Sequence, residues 1–109
     1  YLAGLENDIL VLCSGWKGVF NLEDSIFAGH LVYNLNKIKE LNINCDSVLA
    51  SLELYNNAKN DYFKFLENSA HRKRLKHLNI EKDTLFCLKP DIKSEIIPML
   101  KEGKLIRMN

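Results

Sequence analysis

The chain has 109 residues, with 15 Lys and Arg against 14 Asp and Glu, a formal net charge of +1, 47% hydrophobic and 27% charged residues. That is the length of one ordinary domain and the composition of a soluble globular protein. The balanced charge disfavours a nucleic-acid binder and the apolar share disfavours disorder. The longest apolar run, Ile9-Leu10-Val11-Leu12-Cys13, is far short of the roughly 18 residues a membrane span needs.

Ile9 to Cys13 is continuously apolar and partly β-branched, which predicts a buried strand of a parallel or mixed sheet. Ser14-Gly15-Trp16-Lys17-Gly18 breaks it with two glycines, a demand for a tight or closely approached backbone. Asn21 reads as the N-cap of a first helix ending near Leu41, with Leu22, Ile26, Leu31, Leu35 and Ile38 as its apolar stripe. A second helix is expected from Asp46, with Val48, Leu52 and Tyr55 on one face. A third is expected from about Asn60 to Leu78, with Tyr62, Phe63, Leu66 and Ala70 inward. Leu41-Asn42-Ile43 and Leu78-Asn79-Ile80 both read as helix stops, because Asn tolerates the left-handed conformation that closes a helix. Leu85-Phe86-Cys87-Leu88 predicts a second buried strand, Pro90-Asp91 a turn, and Ser94 to Leu100 a short helix ended near Pro98. Glu102-Gly103 is a turn, and Lys104 to Met108 alternates like an edge strand.

The expected fold class is therefore α/β: a small parallel or mixed sheet flanked by helices, in one unit over residues 1–109. Three strands are few for a sheet covered on both faces. Either the protein oligomerises or further strands come from other sequence. The chain also opens Tyr1-Leu2-Ala3 with no initiator Met, which reads as a piece of something longer. Cys13, Cys45 and Cys87 are odd in number and far apart, so no disulfide framework is expected. Cys13 and Cys87 sit in apolar runs and read as small buried hydrophobes. With no CxxC and no signal peptide, a structural zinc site is unsupported and a reducing cytoplasm is expected.

The strongest local signal runs from Ser14 to Asp24. A strand end, a glycine loop and a helix start form the place where open α/β sheets bind ligands. Backbone N–H groups, the helix dipole and Lys17 favour an anion there, and Gly15 and Gly18 permit close approach. Glu23 and Asp24 admit two readings. As first-turn acids they complement the dipole, with Asp24 at the capping-box position three residues after Asn21. Alternatively they hold a hard cation such as Mg²⁺, or act as general acid and base. Trp16 either walls a pocket or fills a gap beside the core. The run His71-Arg72-Lys73-Arg74-Leu75-Lys76-His77 has no stacking aromatics interleaved and reads as a solvated helix face rather than a phosphate or nucleic-acid contact. His30 reads as a partly buried packing residue.

Ser14-Gly15-Trp16-Lys17-Gly18, with Phe20, Leu22-Glu23-Asp24 and Ala28-Gly29, resembles the most distinctive stretch of the 2-phosphosulfolactate phosphatase family: Ser/Ala-Gly-Trp-Lys/Arg-Gly, then Phe-x-Leu-Glu-Asp, then a Cys-Ala-Gly-like step. Asp83 to Leu88, Ile96-Ile97-Pro98 and Lys101 to Ile106 echo the family's closing pattern. The resemblance implies a Mg²⁺-dependent acid phosphatase that hydrolyses phosphosulfolactate to sulfolactate and phosphate, a step of coenzyme M biosynthesis. It implies a fold of two α/β halves, of which this chain is similar to the C-terminal one. The family's Asp/Arg-containing and Asn-Gly-Thr-like segments have no counterpart here. Val19 stands where many members have a charged residue, and Phe27 replaces the usual Cys.

Two functions follow as expectations. In the first, the chain is half of a phosphatase. Ser14, Gly15, Trp16, Lys17 and Gly18 bind a small phosphorylated anion, and Glu23 and Asp24 are the catalytic and metal candidates. The partner is then the missing N-terminal half or another protomer. In the second, the chain is a non-catalytic α/β module that binds an anion or a protein.

Overall fold

The computed structural model describes residues 1–90, 94 and 96–108. The first long helix, α1 (Leu22–Ile38), starts where expected. Asn21 has extended backbone, and its side chain accepts a hydrogen bond from the Glu23 N–H at 2.9 Å. This satisfies one of the donors every helix start leaves open. The second, α2, spans Asp46–Ala58.

These two helices pack on a face that keeps Ile26 and Leu35 of the expected stripe, with Leu22 against the core, but adds small residues and leaves Ile38 out. The buried residues of α1 are Ser25, Ile26, Ala28, Gly29, Val32 and Leu35, whereas Ile38 is 73% exposed. Small side chains set this choice. A Cβ on Gly29 would lie 2.0 Å from the Ser51 carbonyl oxygen and 2.9 Å from the Tyr55 Cβ. The helices therefore touch backbone to backbone at Gly29, and the small residues Ser25, Ala28 and Gly29 draw the contact to their side of the stripe. Tyr55 of α2 lies in this contact, stacked on His30 at 4.9 Å and 6° and tilted against Tyr33. His30 is thus the packing residue expected of it. Ile26, Tyr55, Ala58 and Leu66 form the core, with Leu22, Tyr33, Leu54, Tyr62 and Leu88 packed around them. Leu66 is 1% exposed, and burying such a side chain stabilises the fold by roughly 1.5–3 kcal/mol.

The single helix expected over 60–78 is divided. Its parts are α3 (Tyr62–Phe65), α4 (Ala70–Leu75) and a 3₁₀ turn over Lys76–Leu78. Two short polar side chains start the two pieces separately, and the second, Ser69, stands at the break. Asp61 accepts from the Lys64 N–H at 2.9 Å, and Ser69 accepts from the Arg72 N–H at 3.2 Å. Leu66 stays inward while Ala70 is exposed. Asn79 adopts the left-handed conformation read from its triplet, with φ 54°. The matching reading at Leu41-Asn42-Ile43 is corrected. There α1 ends earlier, at Ile38, and the Asn36 side chain accepts from the Leu41 N–H at 3.1 Å.

Both expected buried strands are also corrected. Leu85 to Cys87 lies in α5 (Glu81–Cys87), opened by the acids Glu81 and Asp83. Its half-buried positions are Thr84 and Leu88, a helical spacing of four rather than a strand's alternation. Ile9 to Cys13 carries no strand, and Leu10 and Leu12 are 88% and 87% exposed. Among the described residues no strand lies beside this run to pair with it. Cys13 and Cys87, which belong to these two segments, are accordingly exposed, as is Cys45.

The described residues form one antiparallel sheet of two strands in place of a parallel or mixed one. In it β1 (Ile97–Lys101) pairs with β2 (Lys104–Met108), with Met99 opposite Ile106. The short helix expected over 94–100 is thus a strand from Ile97 onward; residues 91–93 and 95, including Asp91 of the expected turn, lie outside the described residues. Pro98 explains the difference, since it lacks an N–H for a helix and biases Ile97 toward extended backbone. Glu102 and Gly103 make the expected turn with φ 51° and 76°, the double positive φ of a type I′ hairpin. The chain is helix-rich with a small sheet, and none of its described helices is long and apolar enough to cross a membrane.

Candidate active site

The glycine loop is a miniature hairpin. The Trp16 and Val19 backbones exchange two hydrogen bonds of 3.0 Å. Between them Lys17 and Gly18 have φ 51° and 74°, the same positive pair that closes the β1–β2 turn. Gly15 also has positive φ, and a Cβ there would meet the Val19 carbonyl oxygen at 2.7 Å. The loop therefore requires glycine at this position for both conformation and space.

Asp24 holds this loop to α1. Its Oδ2 accepts from the Gly15 N–H at 2.7 Å and from the Ser14 hydroxyl at 3.1 Å. It does not close a capping box, because the Asn21 side chain serves the Glu23 N–H instead. Within the loop the Gly15 and Trp16 N–H groups are thus occupied. The N–H groups of Lys17 and Gly18 make no hydrogen bond among the described residues.

Glu23 turns the other way. Its Oε1 accepts from the Ser69 hydroxyl at 2.9 Å. Ser69 is 4% exposed, and its oxygen also accepts from the Arg72 N–H. One hydroxyl thereby caps α4 and ties it to the start of α1. Glu23 also borders a cleft of about 710 Å³ with Ile26, His30, Leu66, His71 and Arg72. No residue of the 14–18 loop lines this cleft. The two candidate acids therefore serve different surroundings: Asp24 the loop, Glu23 the cleft and α4.

The basic run is less solvated than its sequence implies, because aromatics reach it from elsewhere in the chain. The Arg72 guanidinium lies 3.9 Å from the Phe63 ring centroid and donates to the Phe63 carbonyl at 3.3 Å. The Arg74 guanidinium lies 4.1 Å from the Trp16 ring centroid, and its Nη2 is 3.0 Å from His71 Nδ1. Lys17 Nζ approaches the same indole at 5.9 Å. Trp16 thus joins the loop to α4, a third role beside pocket wall and gap filler. Ser69, His71, Arg72 and Arg74 are the site residues the sequence reading missed. Ser69 was within reach: a Ser before a helical run is an N-cap signal.

A protein-family model described as 2-phosphosulpholactate phosphatase matches residues 1–103. The chain belongs to this family. It is 34% identical over 101 residues to a Gloeothece citriformis protein named "Probable 2-phosphosulfolactate phosphatase", covering 91% of this chain and 42% of that protein. Proteins of the same name from Thermotoga petrophila and Clostridium tetani are 35% and 32% identical over 106 and 102 residues, covering 97% and 94% of this chain and 44% and 42% of theirs. The chain thus spans less than half the length of the curated relatives it matches. No solved structure matches it.

Against the 2-phosphosulfolactate phosphatase pattern, the two departures now have locations. Val19 contributes its backbone to the loop hairpin while its side chain stays exposed. Phe27 lines the cleft.

Proposed function

We propose that this chain is the C-terminal, anion-binding half of a two-part α/β phosphatase that hydrolyses 2-phosphosulfolactate to sulfolactate and phosphate with Mg²⁺. The observation that carries this reading is the Asp24 clamp. By occupying the Gly15 N–H and the Ser14 hydroxyl, it fixes the hairpin and leaves the Lys17 and Gly18 N–H groups and the Lys17 ammonium for a phosphate. Backbone donors with a cation at a helix start form a general anion site.

The donor set suits a hard cation held through one or two carboxylates, with water and substrate oxygens completing its shell. Among the described residues no three of His, Cys, Asp and Glu gather into a metal cage. Asp24 uses Oδ2 on the loop and Glu23 uses Oε1 on Ser69, so the free oxygen of Asp24 is the candidate for an ion beside the loop, and that of Glu23 for one in the cleft. Bound there, Mg²⁺ would supply charge neutralisation at the phosphate and a site for water. The chain's own contribution is orientation: the loop holds the phosphate, and a carboxylate accepts a proton from the attacking water as its oxygen bonds to phosphorus. The P–O ester bond breaks, and the alcohol leaves with the proton that the carboxylate took from the water. This reading brings with it the coenzyme M pathway and a cytoplasmic setting.

The test compares wild type and Glu23→Gln in the full-length protein that carries this segment. The expected result is a fall in kcat of at least tenfold with a changed Mg²⁺ dependence. Retained activity with unchanged Mg²⁺ dependence returns Glu23 to a structural role at α4. The isolated 109-residue chain is expected to turn over little phosphosulfolactate with Mg²⁺, and full turnover would overturn the half-enzyme reading. The division of the two acids between the loop and α4 favours a second reading, a module that binds the anion without chemistry. It predicts phosphate binding with no turnover even in the full-length protein.

A further inference from the structure

We propose that Arg74 is a second anion-binding residue of this site and takes the sulfonate of a substrate whose phosphate sits on the 14–18 loop. The proposal rests on the phosphatase reading above and assigns a residue that the family motif does not contain.

Arg74 is placed for such a role. Its guanidinium is stacked 4.1 Å from the Trp16 centroid, and Trp16 is itself fixed by the loop hairpin. One N–H faces His71 Nδ1 at 3.0 Å. A guanidinium has five N–H donors in a rigid fork, so a stack and one hydrogen bond set its plane without consuming its capacity. A planar fork held in place suits bidentate contact with an oxyanion.

Charge supports the same conclusion. Arg74 and Lys17 approach one indole ring, at 4.1 and 5.9 Å. Neither pairs with a carboxylate among the described residues. Asp24, the acid bound to the loop, spends its hydrogen bonds on Ser14 and Gly15. Two like charges on one aromatic ring are stabilised by an anion arriving between or beside them. A substrate with two anionic groups supplies one to each cation.

The division of labour follows from where the carboxylates lie. The transferred phosphate needs metal-binding acids, and Asp24 is bonded to the loop. Arg74 comes from α4 and contacts the indole and His71 rather than an acid. That setting suits a spectator monoanion, which requires no metal. On the phosphatase reading above, the group that fits this description is the sulfonate of the substrate.

Calorimetry on the full-length protein that carries this segment, without Mg²⁺ so that nothing turns over, gives the readout. The probes are inorganic phosphate, sulfoacetate and 2-phosphosulfolactate. Wild type is expected to bind all three, 2-phosphosulfolactate most tightly. Arg74→Ala is expected to weaken sulfoacetate and 2-phosphosulfolactate about tenfold or more, the scale of a lost charge-assisted bond, and phosphate less than twofold. Lys17→Ala is expected to weaken phosphate more than sulfoacetate. Arg74→Lys, which keeps the charge but loses the fork, carries the test if Arg74→Ala does not fold, and is expected to weaken sulfoacetate several-fold. Wild type that binds phosphate but not sulfoacetate overturns the proposal and leaves the phosphatase reading standing. So does an Arg74 variant that weakens phosphate as much as sulfoacetate, or neither. Wild type that binds none of the three overturns both.

Discussion

Asp24 carries two jobs on one carboxylate: it ends a loop and begins a helix. Its bonds to the Gly15 N–H and the Ser14 hydroxyl hold a backbone in which Lys17 sits at φ 51°. An L-residue in the left-handed region costs roughly 1–2 kcal/mol, so the loop needs external restraint. Asp24→Ala is expected to loosen the hairpin and lower stability by about 1 kcal/mol, the usual net worth of such hydrogen bonds. Urea unfolding and the Trp16 emission together check it, because the emission changes even where the melting point barely moves. The thiols differ as well. The Ser47 hydrogen bond at 2.9 Å holds the Cys45 thiol below its ordinary pKa. A lower pKa means more thiolate at a given pH. At pH 7.5 Cys45 is expected to react with iodoacetamide faster than Cys13 and Cys87, which are also exposed, and Ser47→Ala to slow it. Equal rates at all three would contradict this.

At the scale of elements, helix contacts depend on what is absent from a side chain. Gly29 faces Ser51 and Tyr55 where a methyl group would overlap both. Gly29→Ala is expected to push α1 from α2 and destabilise the fold by about 1–3 kcal/mol, the range for overpacking, measured by thermal unfolding. Ser69→Ala removes the cap of α4 and the partner of Glu23, at about 1 kcal/mol. It is expected to lower the helical signal and to free Glu23. These contacts show what was legible in the chain. Asn21, Asn79 and the Glu102-Gly103 turn were readable because each acts through its own backbone. The first two helices were readable from spacing, as were Ile26 and Leu35 on the buried face of α1, but the share of Gly29 in it was not, since a residue without a side chain leaves no mark on a hydrophobic pattern. The runs 9–13 and 85–88 were misread because an apolar run does not say whether a partner strand exists. The Glu23–Ser69 bond and the Arg74–Trp16 stack join residues 46 and 58 positions apart, and no local pattern announces such a meeting.

At the scale of the molecule, the proposed site gathers one well-anchored helix and two pieces tied to it by side-chain bonds. The start of α1 provides Asn21, Glu23 and Asp24. The loop provides Lys17, and α4, six residues long, provides Arg74. An exposed loop and a helix this short draw little stability from their own backbones.

The backbone contact at Gly29 therefore sets an order of opening. Amides of α1 from Ala28 to Leu35 are expected to be the slowest in the chain to exchange with deuterium, and those of α4 and the 14–18 loop among the fastest. Faster exchange in α1 than in α4 would refute this. A bound dianion that bridges Lys17 and Arg74 would then slow exchange in the loop and α4 while leaving α1 unchanged. The tight packing of two helices some way from the chemistry thus makes one wall of the site a fixed reference. A ligand that spans the loop and α4 would lock to that reference two pieces which side-chain bonds alone hold to it.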